Sequence, residues 1–112
     1  MGLDQYLFAE ETPDQEDTEL YYFRKHANLE GFMAALFYAR GHTGEFNCER
    51  LYLSEDDINT LETAVKLEGL PETTGFFFGH TTEQQMVDTW DFIHVARKAL
   101  DSNKKIYYTS WW

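Results

Sequence analysis

The chain has 112 residues, with nine basic and twenty acidic side chains and a formal charge of -11; that excess repels nucleic-acid phosphates and anionic lipid heads and argues against direct DNA or RNA binding. A single domain is expected at this length, burying roughly two thirds of its unfolded surface, and hydrophobic residues at 43% with only two prolines exclude a disordered or collagen-like chain. One cysteine, Cys48, excludes an internal disulfide, and no apolar run approaches the ~20 residues that span a bilayer.

The stretch GLDQYLFA (2–9) alternates, with Leu3 and Leu7 on one face and Asp4, Tyr6 and Phe8 on the other, and reads as a first strand. Residues 10–19, EETPDQEDTE, carry six carboxylates (Glu10, Glu11, Asp14, Glu16, Asp17 and Glu19), one proline and no base, and predict a solvated, mobile acidic loop. LYYFRK (20–25) resumes β character, so the loop joins two antiparallel strands. Asn28 is the expected cap of a first helix, because Leu29, Phe32, Met33, Leu36 and Phe37 recur on one helical face, and Gly41 is the expected stop.

CERLYL (48–53) reads as a third strand that holds Cys48, and Ser54 with Asp57 forms a capping box for a helix buried through Ile58, Leu61 and Val65 and closed by Gly69. GFFFG (75–79), apolar without alternation, predicts a short central strand. Thr82 and Gln85 make a second capping box; Met86, Trp90, Ile93 and Leu100 form the inward stripe of a third helix, and Asn103 ends it. KKIYYTSWW (104–112) is the last strand. The expectation is a single α+β domain over 1–112 in the order β-β-α-β-α-β-α-β: a mixed or antiparallel sheet of about five strands with three helices, and a dense core made from the 17% of residues that are aromatic.

The pieces MGLDQYL, YYFRKHANL, FNCERLYLS, GFFFG and YYTSWW, in this order over most of the chain, resemble a group of small uncharacterised proteins encoded by bacteriophages and prophages. Members of that group carry Tyr-Trp-Arg-Lys where this chain has Tyr22 to Lys25, and Ser-Thr where it has His80 and Thr81. The resemblance implies a phage origin and the cytoplasm of an infected bacterial host, and no mechanism.

Candidate sites are few. GFFFGHTT (75–82) has the order strand, glycine, helix N-terminus, in which free N–H groups can hold an anion at His80, Thr81 and Thr82. It lacks GxxxxGK[ST] and GxGxxG, so the aromatics read better as core, Gly79 as a turn and Thr82 as a helix cap. Arg24, Lys25 and His26 end a strand ahead of a helix; Arg24 can grip a carboxylate or phosphate, or pair internally with Asp4.

Cys48 with His26, His42 or His80 would make a nucleophile pair if folding joined them, and a buried small hydrophobe otherwise. His94 reads as a packed core histidine. Scattered histidines with one cysteine give no metal-ligand spacing, and no cofactor and no catalytic residue is assigned. Tyr107 and Tyr108 are expected to dock; Trp111 and Trp112 either pack or face a partner, and an edge position for the last strand would offer a homodimer seam.

These features point first to an accessory protein that acts on a host protein with a basic surface, as a modulator or inhibitor of a nucleic-acid-handling factor, through the acidic loop and the terminal tryptophans. The alternative is a small enzyme or anion-binding domain using Arg24, Lys25, His26 and the His80 to Thr82 turn.

Overall fold

Period-two alternation makes β1 from Asp4–Ala9, with Gln5, Leu7 and Ala9 turned inward and Asp4, Tyr6 and Phe8 outward. In a computed structural model, which describes residues 2–73 and 79–112, it is followed by β2 (Thr18–Arg24), α1 (Ala27–Ala39), β3 (Leu51–Leu53), α2 (Glu55–Lys66), α3 (Glu83–Asp101) and β4 (Ile106–Trp111). The four strands form one antiparallel sheet in the order β2-β1-β4-β3. The α+β expectation with three helices stands. The strand read on GFFFG lies, apart from Gly79, outside the described residues.

The helices pack on one face of the sheet. Leu7, Phe23, Leu53, Ile106 and Tyr108 from the strands meet Leu29, Met33, Phe37, Ile58, Leu61, Phe92 and Ile93 from the helices in one apolar cluster. The other face carries a chain of ring contacts running Tyr22–Tyr6–Phe8–Tyr107–Tyr52, with Trp111 against Tyr6. Much of the aromatic content therefore covers the outer sheet face instead of filling the core. Arg50 and Lys105 lie over the Tyr107 and Tyr52 rings, each 4.5 Å from the centroid.

Both capping boxes form as expected: Ser54 Oγ accepts from Asp57 N and Thr82 Oγ1 from Gln85 N, each reciprocated by the N3 side chain. Three local expectations are corrected. α1 starts two residues earlier than Asn28 predicts, capped by His26, whose Nδ1 accepts from Leu29 N. The left-handed residue after α2 is Glu68 (φ 52°), not Gly69, because the Gly69 N–H reaches back to Ala64 O at 2.7 Å. On α3 the buried stripe is Thr89, Phe92, Ile93 and Ala96, which leaves Trp90 40% exposed and His94 at the surface.

Cys48 is not in a strand. It is exposed with φ 62° in the loop before β3, where its N–H donates to Ser110 O. Nor is β4 an edge: it pairs with β1 on one side and β3 on the other, so the homodimer seam expected along it is already occupied by the chain's own strands.

The acidic segment also departs from expectation, since half of its carboxylates are held. Tyr52 donates to Glu10, Thr18 and Lys104 donate to Glu11, and Tyr107 donates to Asp17, whose other oxygen accepts Glu11 N. Arg50 sits 3.6 Å from Glu10 and 3.5 Å from Asp17. Phenols from β3 and β4, and bases just ahead of those strands, supply the partners that the segment's own composition lacks. Asp14, Glu16 and Glu19 stay exposed.

Replacing Asp14, Glu16 and Glu19 with Asn or Gln is therefore expected to leave the melting temperature unchanged or slightly higher, by relieving repulsion. The same change at Glu10, Glu11 and Asp17 should lower it. Equal melting curves for the two triple variants would contradict this division.

Candidate functional site

Between α1 and the sheet runs a seam of buried polar side chains: Gln5, His26, Glu30, Thr89 and Ser110 are each no more than 2% exposed. Groups so placed must satisfy one another, because an unpaired buried donor costs about 1–3 kcal/mol. The seam begins where β2 ends. Lys25, at φ 58°, turns the chain and donates its N–H to Leu3 O, and this brings His26 over the first turn of α1.

The partners of His26 decide its tautomer. Thr89 Oγ1 donates to Gln85 O at 2.7 Å, so it accepts from His26 Nε2–H at 2.8 Å. Thr81 Oγ1 accepts from Asn28 N and donates to Nδ1 at 3.0 Å, and Nδ1 also receives Leu29 N–H. The ring is thus held neutral, and burial pushes its pKa down to about 4 against a smaller upward pull from Asp88. Gln5 closes the seam from β1, accepting His26 N–H and donating to both His26 O and the Tyr108 hydroxyl.

At the other end stands Glu30, 2% exposed. Tyr108 donates to its Oε1 at 2.6 Å and Ser110 to its Oε2 at 3.0 Å. Burial raises the Glu30 carboxyl above the usual carboxylate range, opposed by hydrogen bonds from Tyr108, Ser110 and Trp112. The Tyr108 hydroxyl is pushed well up, first by burial and then by the carboxylate it faces. None of the ion pairs among the described residues involves Glu30.

Of the residues singled out in the sequence, His26, Thr81 and Thr82 come together at the junction of α1 and α3. They serve there as caps, and both ring nitrogens of His26 are engaged within the fold. Arg24 pairs with Asp4 at 2.9 Å across β1 and β2, and Tyr22 donates to the same Asp4 oxygen at 2.6 Å. Lys25 is half-buried and His80 exposed.

Comparison of the chain with protein-family models, curated proteins and solved structures returned no match.

The Cys48 thiol donates to Asn47 Oδ1 at 3.6 Å; His26 is bound to Thr81 and Thr89, and His42 stacks on Phe37. Among the described residues no hydrogen bond or ring contact joins Cys48 to a histidine. Among the described residues no group of three His, Cys, Asp or Glu is placed to hold a metal ion, and no helix is long and apolar enough to cross a membrane.

Tyr107 and Tyr108 are buried as expected. Trp111 is 53% exposed beside Tyr6, while Trp112 is half-buried and donates its indole N–H to Phe46 O. Glu30 is the residue that the sequence reading missed. Ala27, Glu30, Ala34 and Phe37 recur at helical spacing, and one carboxylate within such an apolar row was the available signal.

Away from the seam, the end of α2 and the start of α3 leave a groove of about 470 Å³. Val65, Leu70, Met86, Val87 and Trp90 give it an apolar floor, and Glu68 and Glu83 stand among its walls. Val87 and Trp90 are 62% and 40% exposed, although both are large apolar side chains.

Proposed function

We propose that the protein is an acidic interaction module that docks on a basic protein surface and modulates the protein that bears it. The phage resemblance implies the cytoplasm of an infected bacterial host as the setting, with a nucleic-acid-handling factor as the kind of partner whose surface is basic. The observation that carries the reading is the groove between α2 and α3, where exposed Trp90 and Val87 lie beside Glu68 and Glu83. An apolar floor with acidic walls fits a segment that presents an apolar anchor flanked by lysine or arginine. Charge supports it: among the described residues six cations pair with six carboxylates, which leaves the excess of eleven negative charges undiminished. That field, with the exposed Asp14, Glu16 and Glu19, speeds encounter with a basic partner.

The test uses a helical peptide with Leu and Trp on one face and Lys on the other, beside a scrambled peptide of equal charge without an apolar face. Calorimetric titration is expected to show saturable binding of the first only, weakening as salt rises, and a loss of about tenfold or more in Trp90→Ala. Equal binding of the scrambled peptide, or an unaffected Trp90→Ala, would reduce the interaction to undirected charge attraction and overturn the reading.

A further inference from the structure

A second cavity, of about 210 Å³, lies over Glu30 and shares no lining residue with the groove. Its volume is below the roughly 300–1,000 Å³ of pockets that enclose whole ligands, so it suits one head group. Three of its walls are aromatic: Tyr38, Phe46 and Trp112. Glu30 and the exposed Glu45 are among its lining residues, in a lining that is otherwise almost wholly apolar. Ala34 of α1 takes up little of the space, while Gly31 admits Thr73, whose Oγ1 would lie 1.9 Å from a Cβ at that position.

We propose that this cavity binds an alkylated ammonium group, with the aromatic rings around the cation and the Glu30 and Glu45 carboxylates supplying the countercharge. Ring faces carry negative potential and attract cations, at about 0.5–2 kcal/mol per favourable contact. A compact primary ammonium is strongly hydrated and would surrender its water to walls that are largely apolar. A methylated ammonium gives up less and presents methyl groups that those walls accept.

Glu30 fits the same reading. Tyr108 and Ser110 donate to its two oxygens and Trp112 adds a third hydrogen bond, which together fix the carboxylate beside the cavity. None of the ion pairs among the described residues supplies it with a cation. The walls are also set in advance. The backbone N–H of Trp112 donates to Asn47 Oδ1 and its carbonyl accepts from Asn47 Nδ2, its indole N–H donates to Phe46 O, and Tyr38 donates to Gly44 O at 2.8 Å. Little ordering is left for a ligand to impose.

The source is either a free quaternary amine or a methylated lysine of a protein, and the probes separate them: choline, a short peptide carrying trimethyl-lysine, the same peptide unmethylated, and 3,3-dimethylbutan-1-ol as the neutral shape-match of choline. Binding is followed by NMR shifts of the Trp112 indole and by calorimetry. Choline or the trimethyl-lysine peptide should saturate the site at least about fivefold more tightly than the alcohol or the unmethylated peptide. A preference for choline points to the free amine, and one for the peptide to a protein.

Tyr38→Ala and Glu45→Gln, both at exposed positions, should each weaken binding about fivefold with unchanged near-ultraviolet circular dichroism. Trp90→Ala should not affect it, so this inference and the docking groove succeed or fail separately. Equal affinity for the neutral alcohol, no saturation at millimolar choline or trimethyl-lysine peptide, or an unaffected Tyr38→Ala would each overturn the assignment.

Discussion

Lowering the pH from 6.5 to about 4 is expected to cost the fold roughly 3 kcal/mol through His26 alone. In the unfolded chain the imidazole takes its proton near 6.5. In the fold, burial holds its pKa down to about 4. Between those values the unfolded state binds the extra proton and the native state does not, so stability is complete above 6.5 and drains away as the pH falls, at about 1.4 kcal/mol per pH unit. The structural reason is specific: Nδ1 accepts from Leu29 N and Thr81, and a protonated ring has no lone pair to offer either.

Glu30 works in the opposite direction. Its folded pKa is raised, so it contributes stability at low pH that is lost as pH rises through the folded value, and its protonation offsets part of the His26 loss. The lowered pKa of Asp57, from its Ser54 and Arg40 hydrogen bonds, adds a loss only at the acid end, where that carboxylate takes up its proton. Urea midpoints across this range, for the native chain and for His26→Asn, make the test. Asn retains a cap acceptor but cannot titrate, so the variant should be weaker at neutral pH with a visibly flatter slope through the acid range. Parallel slopes would remove His26 as the cause.

Tyr108→Phe is expected to destabilise the protein by about 2–3 kcal/mol, while Glu30→Gln should leave it unchanged or more stable at neutral pH. The phenol is completely buried, donates to Glu30 Oε1 at 2.6 Å and accepts from Gln5 at 2.9 Å. Deleting it strips a buried carboxylate of a short hydrogen bond. Deleting the charge instead removes the desolvation cost and keeps an acceptor for the phenol. The two effects should be coupled, with Tyr108→Phe costing less when combined with Glu30→Gln than alone.

The Glu30→Gln gain should also shrink as the pH falls, because the native carboxyl is increasingly protonated there. A loss of more than about 2 kcal/mol in Glu30→Gln at neutral pH would mean that the charge itself holds the fold together. A gain instead leaves the carboxylate as a group retained at the expense of stability, as a binding role over the 210 Å³ cavity requires.

The elements legible in the sequence are those whose causes lie within a few residues. Alternation from Leu3 to Ala9 dictates which side chains of β1 face inward, and Ser54 with Asp57 and Thr82 with Gln85 set two helix starts through hydrogen bonds spanning three residues. The stripe Ile58, Leu61 and Val65 needs only the helical period to be buried together. By contrast, His26 displaces Asn28 as the cap of α1 because its ring nitrogens meet Thr81 and Thr89, 55 and 63 residues along the chain.

Only tertiary structure places β4 between β1 and β3, pins Glu10 and Asp17 beneath Arg50, and buries Glu30 under Tyr108 from 78 residues away. Local composition speaks for what a residue does to its own backbone and neighbours. The partners that make a buried carboxylate tolerable, or an acidic segment ordered, arrive from distant strands, and no local pattern encodes them.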